Sequence, residues 1–445
     1  MSYVLKANCK YKVDKTGSTH ELPCVLTKSG VLTSHVQYLY RNRTKSQSWI
    51  EKSISSIILL IKYIDANTQS LSNKQKIKGI ELLRSFTIAL NLGSIDLKGQ
   101  DPSGLFWKTR NTRDAQVILY HITQYVDYFT DRNGCQIPIN PFRKASHTEE
   151  KINWCAYYHR QSAIFLNHLE NKKNTVEKIK LVRSIKSDQP EVVANEKSVR
   201  FPEDKIESIL KYGFLKPGNI YPDYKNQLIT MLMHYGGLRL SETFHIYVND
   251  IIFDAKRNEG IVRVFHPSNG QSPVSPKVLR RAYLQENYAL KPRNEYSKNL
   301  RLHAGWKTPL LTNNKKYFEV IFSHSGIAEL FWKTWINYLI YQRINPPSNF
   351  QHPYAFTNSK GQPETIKNFR RMHDDAVKRI GLNPCKDEGT SCHSHRHSYG
   401  YYLSELGFSQ VEIQKSMHHK SPDSCLVYIQ PTSDDIRKKM RILEG

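Results

Sequence analysis

The sequence lacks any apolar run long enough to cross a membrane. Its best candidate, residues 54–64 (ISSIILLIKYI), is interrupted by serine and lysine, whereas a spanning helix needs about 20 predominantly apolar residues. The first residues carry no long apolar segment followed by a small-residue cleavage site, so we do not expect secretion. These two absences predict a cytoplasmic protein.

Cysteines and clustered carboxylates are also scarce. The seven cysteines are odd in number and irregularly spaced, which argues against a disulfide framework. Cys385 and Cys392 are too far apart for a C-x2-C zinc pair, and no second pair follows. No group of carboxylates lies near the C-terminal histidines to hold Mg²⁺. The sequence therefore disfavours disulfide-rich, zinc-binding and metal-nuclease proteins.

Acidic residues are outnumbered by basic ones. The 65 lysines and arginines exceed the 40 acids, giving a net charge of +25. Such a balance favours a polyanionic partner, of which nucleic acid is the commonest, although a membrane surface could also attract it. With 445 residues, 39% hydrophobic and 24% charged, the chain has the composition of a globular protein of two or three domains.

The first half of the chain changes pattern twice. Residues 1–43 predict short strands and turns, either an N-terminal accessory arm or an extra edge on the next domain. Residues 44–185 show helical periodicity, consistent with a basic helical bundle or a core DNA-binding domain. Residues 186–200 are polar, include Pro190 and predict a linker. The four predicted helices span residues 50–64, 77–92, 114–129 and 152–169.

Residues 201–445 predict a second, α-rich domain containing a short sheet. Asp223 is a good N-cap for one helix, and Ser241 is a candidate cap for the next. Residues 260–266 form the clearest strand, and residues 302–311 are predicted to return beside it. The predicted fold class is mainly α with a small antiparallel β-sheet: a helical core-binding domain followed by an α-rich catalytic domain.

Five residues together suit phosphoryl transfer without a metal: Arg239, His393, Arg396, His419 and Tyr428. Arginine forks bind phosphate oxygens in pairs and stay charged at any working pH. Histidines can hold or pass protons near neutrality. A tyrosine hydroxyl can act as a covalent nucleophile when its neighbours activate it.

The motifs that carry these residues resemble those of the tyrosine recombinase, or phage integrase, superfamily. GGLRLSE (236–242) resembles its first arginine box, and HSHRHS (393–398) its H-x-x-R box. A further box ends at His419, and a tyrosine follows nine residues later, in the family's order. The resemblance extends from about Arg200 to the C-terminus, and within the family it is closest in style to integrases of bacterial mobile elements.

This resemblance implies a role for each residue. Arg239 and Arg396 clamp the scissile phosphate, while His393 and His419 supply hydrogen bonds and manage protons. Tyr428 attacks phosphorus, which leaves a 3′-phosphotyrosyl link and a free 5′-hydroxyl. The covalent link conserves the bond energy, so no cofactor, ATP or metal ion is expected. The implied activity is site-specific recombination that integrates or excises a mobile element.

The lysine that protonates the leaving oxygen in most relatives is not where the family has it. His266 and Pro267 occupy the position after the strand. Lys307 is our candidate for this general acid, with Lys277 and Lys298 as alternatives. An ordinary phosphate-binding or surface lysine is an equally good interpretation of Lys307.

A second departure concerns the last histidine box. His418 stands where the family usually has glycine, and the spacing to Tyr428 favours His419 over His418 as the catalytic histidine. Three further tyrosines follow the H-x-x-R box in a segment expected to pack its helix, and we interpret them as structural. They are Tyr399, Tyr401 and Tyr402.

The resemblance also implies partners. These are double-stranded DNA, a homotetramer on paired sites and possible accessory directionality proteins, in the cytoplasm at the nucleoid and without a membrane. A basic helix predicted at residues 434–443 resembles tails that dock on a neighbouring subunit. Two alternatives remain: a DNA-binding regulator that keeps the fold without cutting, and a topoisomerase-like or hairpin-resolving enzyme that uses the same residues.

Overall fold

The protein is described here by a computed structural model. The chain divides into two compact units, an N-terminal unit (Met1–Val193) and a C-terminal unit (Ala194–Gly445). The predicted boundaries at residues 43, 185 and 200 stay predictions. The structure describes residues 3–13, 19–72, 79–96, 98–133, 139–161, 177, 179–186, 199–216, 218 and 221–429.

The N-terminal unit begins with an antiparallel sheet. Strand β1 (Leu5–Lys12) pairs with β2 (Thr19–Thr27), which pairs in turn with β3 (Gly30–Val31). Gly30 has φ +106°, a backbone conformation open to glycine at no steric cost. The helix Thr33–Arg41 follows, so the prediction of strands and turns throughout residues 1–43 is wrong there.

The helix was missed because one of its buried positions, His35, is a polar residue that weakens the apolar pattern. His35, Val36 and Leu39 are buried and fall at helical spacing. Val4 and Val25 of the sheet segment share one core cluster with the residues of the longer helices. The first segment therefore packs onto the helical core rather than standing apart from it.

The four predicted helices of the N-terminal unit are present, the first and third with longer bounds than predicted. In the second, the predicted residues 77–78 lie outside the described residues. In the last of them, the predicted residues 162–169 lie outside the described residues. A short antiparallel pair, β4 (Phe142–Lys144) with β5 (Leu181–Arg183), completes the described part of the unit. The helices are Gln47–Ser72, Gly79–Leu92, Thr112–Asn133 and His147–Gln161.

The C-terminal unit contains a second small antiparallel sheet. Strand β7 (Glu259–Phe265) agrees with the predicted strand at residues 260–266. The unpredicted strand β6 (Ile251–Asp254) pairs with its first half, and β8 (Tyr317–Glu319) pairs with its far end. The predicted return strand at residues 302–311 is wrong, because those residues have no strand partner. The chain returns to the sheet only after a long insertion.

Two buried arginines anchor that insertion. Arg280, on the helix Arg280–Tyr288, forms an ion pair with buried Asp250. Arg293 donates hydrogen bonds to the carbonyl oxygens of Leu302, Phe244 and Glu364 at 2.8–3.2 Å. Buried guanidinium groups need such partners to offset lost hydration. The insertion is thus a packed element of the unit.

The longer remaining helices pack around a core that includes Leu232, Phe331 and Trp335, and the last two helices pack in a separate cluster with Ile413 and Tyr428. Asp223 caps the start of the helix Tyr224–His234, as the sequence predicted. Its side chain accepts a hydrogen bond from the backbone N–H of Asn226. The helices are Ile206–Ser208, Tyr224–His234, Leu240–Thr243, Ser325–Tyr341, Ile366–Arg379, Cys392–Glu405, Gln410–Ser416 and Leu426–Ile429.

The predicted fold class, mainly α with small antiparallel sheets, is confirmed for the described residues. The division into a core-binding and a catalytic domain stays a prediction. Among the helices that the structure describes, none combines the length and apolar character of a membrane span. The predicted helix at residues 434–443 lies outside the described residues.

Candidate active site

The first arginine box forms a turn that presents Arg239 at the start of a helix. Gly237 has φ +66°, and an added Cβ there would lie 2.4 Å from the ring of Tyr399. The helix Leu240–Thr243 then begins, with Arg239 as its N-cap. The predicted cap, Ser241, lies inside the helix, so that prediction is wrong.

Glu242 fixes Arg239 in two ways. Its carboxylate accepts hydrogen bonds from the backbone N–H of Arg239 at 2.8 Å and from Nη1 at 2.7 Å. Glu242 is therefore both the ion-pair partner of Arg239 and an acid in the first turn of the helix. Because Glu242 is fully buried, water competes little with this pairing.

Arg396 joins three distant parts of the chain. It lies on the helix Cys392–Glu405, which we call the site helix. Its guanidinium donates to the carbonyl oxygens of Gly237 and, at 2.7 Å, of Met417, and Nη1 lies 4.0 Å from a carboxylate oxygen of Glu242. Burial, then the charge of Arg239, lowers the pKa of Arg396 to about 10, so it is still a cation at neutral pH.

His393 lies one turn before Arg396 on the site helix. Its ring centroid is 4.5 Å from that of His397. The pKa of His393 is lowered to about 4, first by partial desolvation and then by the charges of His397, Arg396, Lys307 and Arg239. At neutral pH His393 is therefore a neutral imidazole.

Lys307 lies at the edge of this group of residues. It is exposed, in the irregular segment where a strand was predicted, and its charge acts on His393. The same segment is tied to the last histidine box, since the backbone N–H of Leu310 donates to the carbonyl oxygen of His418 at 3.1 Å. Lys277 and Lys298 are exposed in the insertion. A general-acid role for any of these lysines stays a prediction.

The last histidine box forms a left-handed turn. His418 has φ +54°, a region that favours glycine, which explains why a glycine suits this position. Its ring stacks on Phe318 with centroids 3.7 Å apart. His419, the next residue, places Nδ1 3.2 Å from Sγ of Cys425. Burial, then Arg396 and Arg239, lowers the pKa of His419 to about 3.

Tyr428 lies on the helix Leu426–Ile429 and points into the same group of residues. Its ring lies nearly parallel to that of His419, with centroids 6.2 Å apart. Its hydroxyl lies 3.2 Å from Nδ1 of His397. Burial raises the pKa of Tyr428 to about 12, against the opposing influence of Arg396 and Arg239. The hydroxyl is therefore protonated at neutral pH.

The three other tyrosines of the site helix have different surroundings. The Tyr399 hydroxyl donates to the carbonyl oxygen of Ile321 at 2.6 Å, and that of Tyr401 to Val427 at 3.2 Å. Tyr399 and Tyr401 are buried in the cluster that also holds Tyr428, and Tyr402 packs against it. These contacts are what a packing role requires.

The structure thus brings five of the proposed site residues together in one place, with Lys307 at its edge, while their catalytic roles stay predictions. The five are Arg239, His393, Arg396, His419 and Tyr428. The structure also adds His397, which sequence reasoning missed although it directly follows Arg396. Chemically, this arrangement places a tyrosine hydroxyl beside two fixed cations and several neutral imidazoles. Within the described residues, no group of three or more His, Cys, Asp or Glu side chains is arranged to hold a metal ion.

Comparisons with solved structures give matches over most of the chain. The XerH site-specific recombinase bound to palindromic difH has a TM-score of 0.49 and 12% identity, over 91% of this chain and 82% of that one. A lambda integrase dimer bound to a COC′ core site has a TM-score of 0.45 and 12% identity, over 89% and 94%. The Tn1549 transposon integrase with right-end DNA has a TM-score of 0.36 and 14% identity, over 86% and 99%.

All three names are those of recombinases or integrases, the class that the sequence motifs resemble. No family model and no curated protein matches the sequence. With TM-scores below 0.5 and identities of 12–14%, the roles of individual residues in this chain rest on its own geometry.

Proposed function

We propose that the protein is a site-specific DNA recombinase of the tyrosine recombinase class. The observation that carries the proposal is the junction made by Arg396. Its guanidinium binds the carbonyl oxygens of Gly237 and Met417 and lies beside the carboxylate that orients Arg239. A packing role alone does not require two arginines to be held together beside a buried tyrosine.

In the proposed reaction, Arg239 and Arg396 bind the scissile phosphate and stabilise the charge of its transition state. Tyr428 attacks phosphorus and forms a 3′-phosphotyrosyl link, releasing a 5′-hydroxyl. His393 and His419, both neutral, donate hydrogen bonds to the phosphate oxygens. Lys307 protonates the leaving 5′ oxygen. A 5′-hydroxyl from a partner strand then reverses the step, so neither ATP nor a metal ion takes part.

Double-stranded DNA is the proposed substrate. The net charge of +25 supports it, because phosphate contacts dominate DNA affinity. The helix Ile366–Arg379 adds a local surface, on which Lys367, Arg370 and Arg371 are exposed while Phe369 is buried. Exchange of strands between two duplexes implies four subunits, and integration or excision of a mobile element is the proposed outcome.

Covalent trapping tests this proposal. Nicked duplexes from the ends of the protein's own element are incubated with the protein in EDTA, and adducts that survive denaturant are counted. We expect an adduct from the wild type and from Tyr402→Phe, the matched control on the site helix, and none from Tyr428→Phe. DNA binding without an adduct from the wild type, at several candidate sites, would support the regulator instead.

The topoisomerase-like alternative uses the same residues and would also give the adduct. It differs in needing a single duplex. Strand exchange between two differently labelled duplexes therefore separates the two activities: recombinant products support the proposal, and relaxation or resolution without exchange supports the alternative.

A further inference from the structure

The proposed reaction needs a group that takes the proton of the nucleophile, Tyr428. Tyr428 is buried, and its hydroxyl holds a proton at neutral pH. From sequence, His393 and His419 were expected to manage protons. His419, however, directs Nδ1 to Sγ of Cys425 at 3.2 Å, whereas the Tyr428 hydroxyl lies 3.2 Å from Nδ1 of His397.

We propose that His397 is a further catalytic residue, the base that accepts the proton of Tyr428 as its oxygen attacks phosphorus. This inference rests on the proposed function, because it assigns a role within the same site. The contact meets the geometric requirement for a general base, which must lie within hydrogen-bonding reach of the proton it removes.

The sequence of the site helix places His397 against the Tyr428 hydroxyl. His393, Arg396, His397 and Gly400 lie at helical spacing on one face, which is the face toward Tyr428. Gly400 lets the Tyr428 ring approach, since an added Cβ would lie 2.8 Å from three of its ring atoms. The absence of a side chain at 400 therefore sets the position of the hydroxyl over Nδ1 of His397.

The charge state of His397 suits the role. Burial, then the cations Arg396 and Lys386, lowers its pKa to about 4, so the ring is neutral at neutral pH. In the tautomer that carries its proton on Nε2, Nδ1 accepts the hydroxyl proton. A phosphate bound by Arg239 and Arg396 brings negative charge beside the ring. An opposite charge nearby favours the imidazolium, so substrate binding makes His397 a stronger base at the moment it is needed.

The step balances. The Tyr428 Oη–P bond forms and the P–O5′ bond breaks, while the Tyr428 proton passes to Nδ1 of His397. The leaving 5′ oxygen takes a proton from Lys307 or from water. In the reverse step the 5′-hydroxyl attacks the phosphotyrosine and gives its proton back to Lys307 or to water, while the departing tyrosine oxygen recovers its proton from His397.

The decisive variant is His397→Asn. Its Oδ1 can accept a hydrogen bond from Tyr428 much as Nδ1 does, but the amide cannot take up the proton. We expect single-turnover adduct formation to slow by about 10²-fold or more, the usual contribution of a general base. DNA affinity should be unchanged. The rate should partly recover as the pH is raised, since hydroxide then replaces the missing base.

One change in the DNA and one change in the protein distinguish a general base from a group that protonates the leaving oxygen. A DNA with sulfur in place of the bridging 5′ oxygen has a leaving group that needs no acid, so it should rescue Lys307→Ala but leave the His397→Asn defect in place. A difluorotyrosine at position 428 has a more acidic hydroxyl and should rescue His397→Asn to within tenfold. His397→Gln serves as the second variant if His397→Asn does not fold.

Three results would overturn the inference: a wild-type rate from His397→Asn, a loss of rate equal at every pH and with difluorotyrosine, or rescue by the bridging sulfur. Each leaves the proposed function standing, provided that the wild type forms its adduct through Tyr428. No adduct from the wild type overturns both.

Discussion

Two histidines of the site helix, His395 and His397, lie two residues apart and in opposite surroundings. His395 is fully buried; its Nδ1 lies 3.1 Å from Nδ1 of His234, and its Nε2 lies 2.9 Å from Nε2 of His373. His397 is half-buried and reaches the Tyr428 hydroxyl. His395 connects three helices to one another, whereas His397 faces Tyr428, the proposed nucleophile.

These two histidines show that the type of a residue in a motif does not determine its role. The face of the helix on which the residue lies determines what the side chain contacts. Residues 393, 396, 397 and 400 share the face toward Tyr428, while His395 points to Phe201, with ring centroids 4.2 Å apart, and to the two other buried histidines. We therefore expect substitutions on the first face to change chemistry and those on the second to change stability.

The largest effect is expected at Arg396. Arg396→Ala removes one of the two proposed phosphate ligands and takes away the guanidinium donor of the carbonyl oxygens of Gly237 and Met417. Loss of a comparable transition-state donor costs about 10²–10³ in rate, and we expect at least that loss in single-turnover cleavage. Arg396→Lys is the control that keeps charge without the fork. Near-normal cleavage by Arg396→Ala would contradict the site.

His395→Leu tests the other face. It leaves a buried nitrogen on each of His234 and His373 without this partner, at about 1–3 kcal/mol for each such group, so we expect the free energy of unfolding to fall by about 2–6 kcal/mol. Cleavage per folded molecule should stay near the wild-type value. A normal stability with lost cleavage would reverse the assignment of the two faces. Urea unfolding and adduct assays on the same sample measure both.

Stability should depend on pH through the buried histidines. Burial lowers the pKa of His234 to about 3 and holds that of His395 far below its ordinary value. The unfolded chain then binds more protons, so stability falls as the pH drops below about 6.5, by up to about 1.4 kcal/mol per pH unit for each group. Urea unfolding at graded pH measures this slope, and a flat curve from pH 6.5 downward would contradict it.

Above neutral pH, the free energy of unfolding should depend on His373. Although burial opposes it, the neighbouring Cys392 and Asp374 raise the pKa of His373 to about 9. Its stabilising contribution is complete below the unfolded pKa and is lost as the pH rises through about 9. Asp374→Asn should reduce that loss in the same unfolding series.

Gly400→Ala is expected to have a smaller effect on chemistry. The new Cβ would lie 2.8 Å from the Tyr428 ring, so the ring must shift, which disturbs the contact between its hydroxyl and His397. We expect about a tenfold slower adduct formation, equivalent to about 1.4 kcal/mol, with unchanged DNA affinity. Ser404→Ala, on the same helix, is the matched control. Gly407→Ala does not serve, because Gly407 has a positive φ that an alanine rarely adopts.

Ser409→Ala should have the smallest effect. Ser409 caps the helix Gln410–Ser416 in a capping box with Glu412, and loss of such a cap costs about 1 kcal/mol. We expect that change in the free energy of unfolding and no change in cleavage per folded molecule. A large loss of cleavage would mean that this helix positions His419 more delicately than its contacts indicate.

Features with a local chemical cause were predictable from the sequence. The Asp223 cap, the Ser409–Glu412 capping box and strand β7 each follow from a few adjacent side chains. The helix Thr33–Arg41 was mispredicted because its formation depends on burial against the rest of the unit. The return strand was mispredicted because its position depends on pairing with a strand distant in sequence. Ser241 failed as a cap because Gly237 places Arg239, not Ser241, at the helix start.

The site was predictable in its members but not in its contacts. Motif spacing named Arg239, Arg396 and Tyr428, yet Arg396 meets Gly237 across 159 positions of sequence. The Tyr428 contact with His397 spans 31 positions. Only packing of the helix Leu426–Ile429 against the site helix brings those two side chains together, and no local pattern encodes that packing.

The most direct test of the account is to locate the covalent link. The trapped protein–DNA adduct is digested with protease and nuclease, and the modified peptide is sequenced by mass spectrometry. We predict a single phosphorylated tyrosine, Tyr428, bearing a 3′-linked nucleotide. A link at Tyr399, Tyr401 or Tyr402, or on any residue other than tyrosine, would contradict the proposed nucleophile and the role assigned to His397.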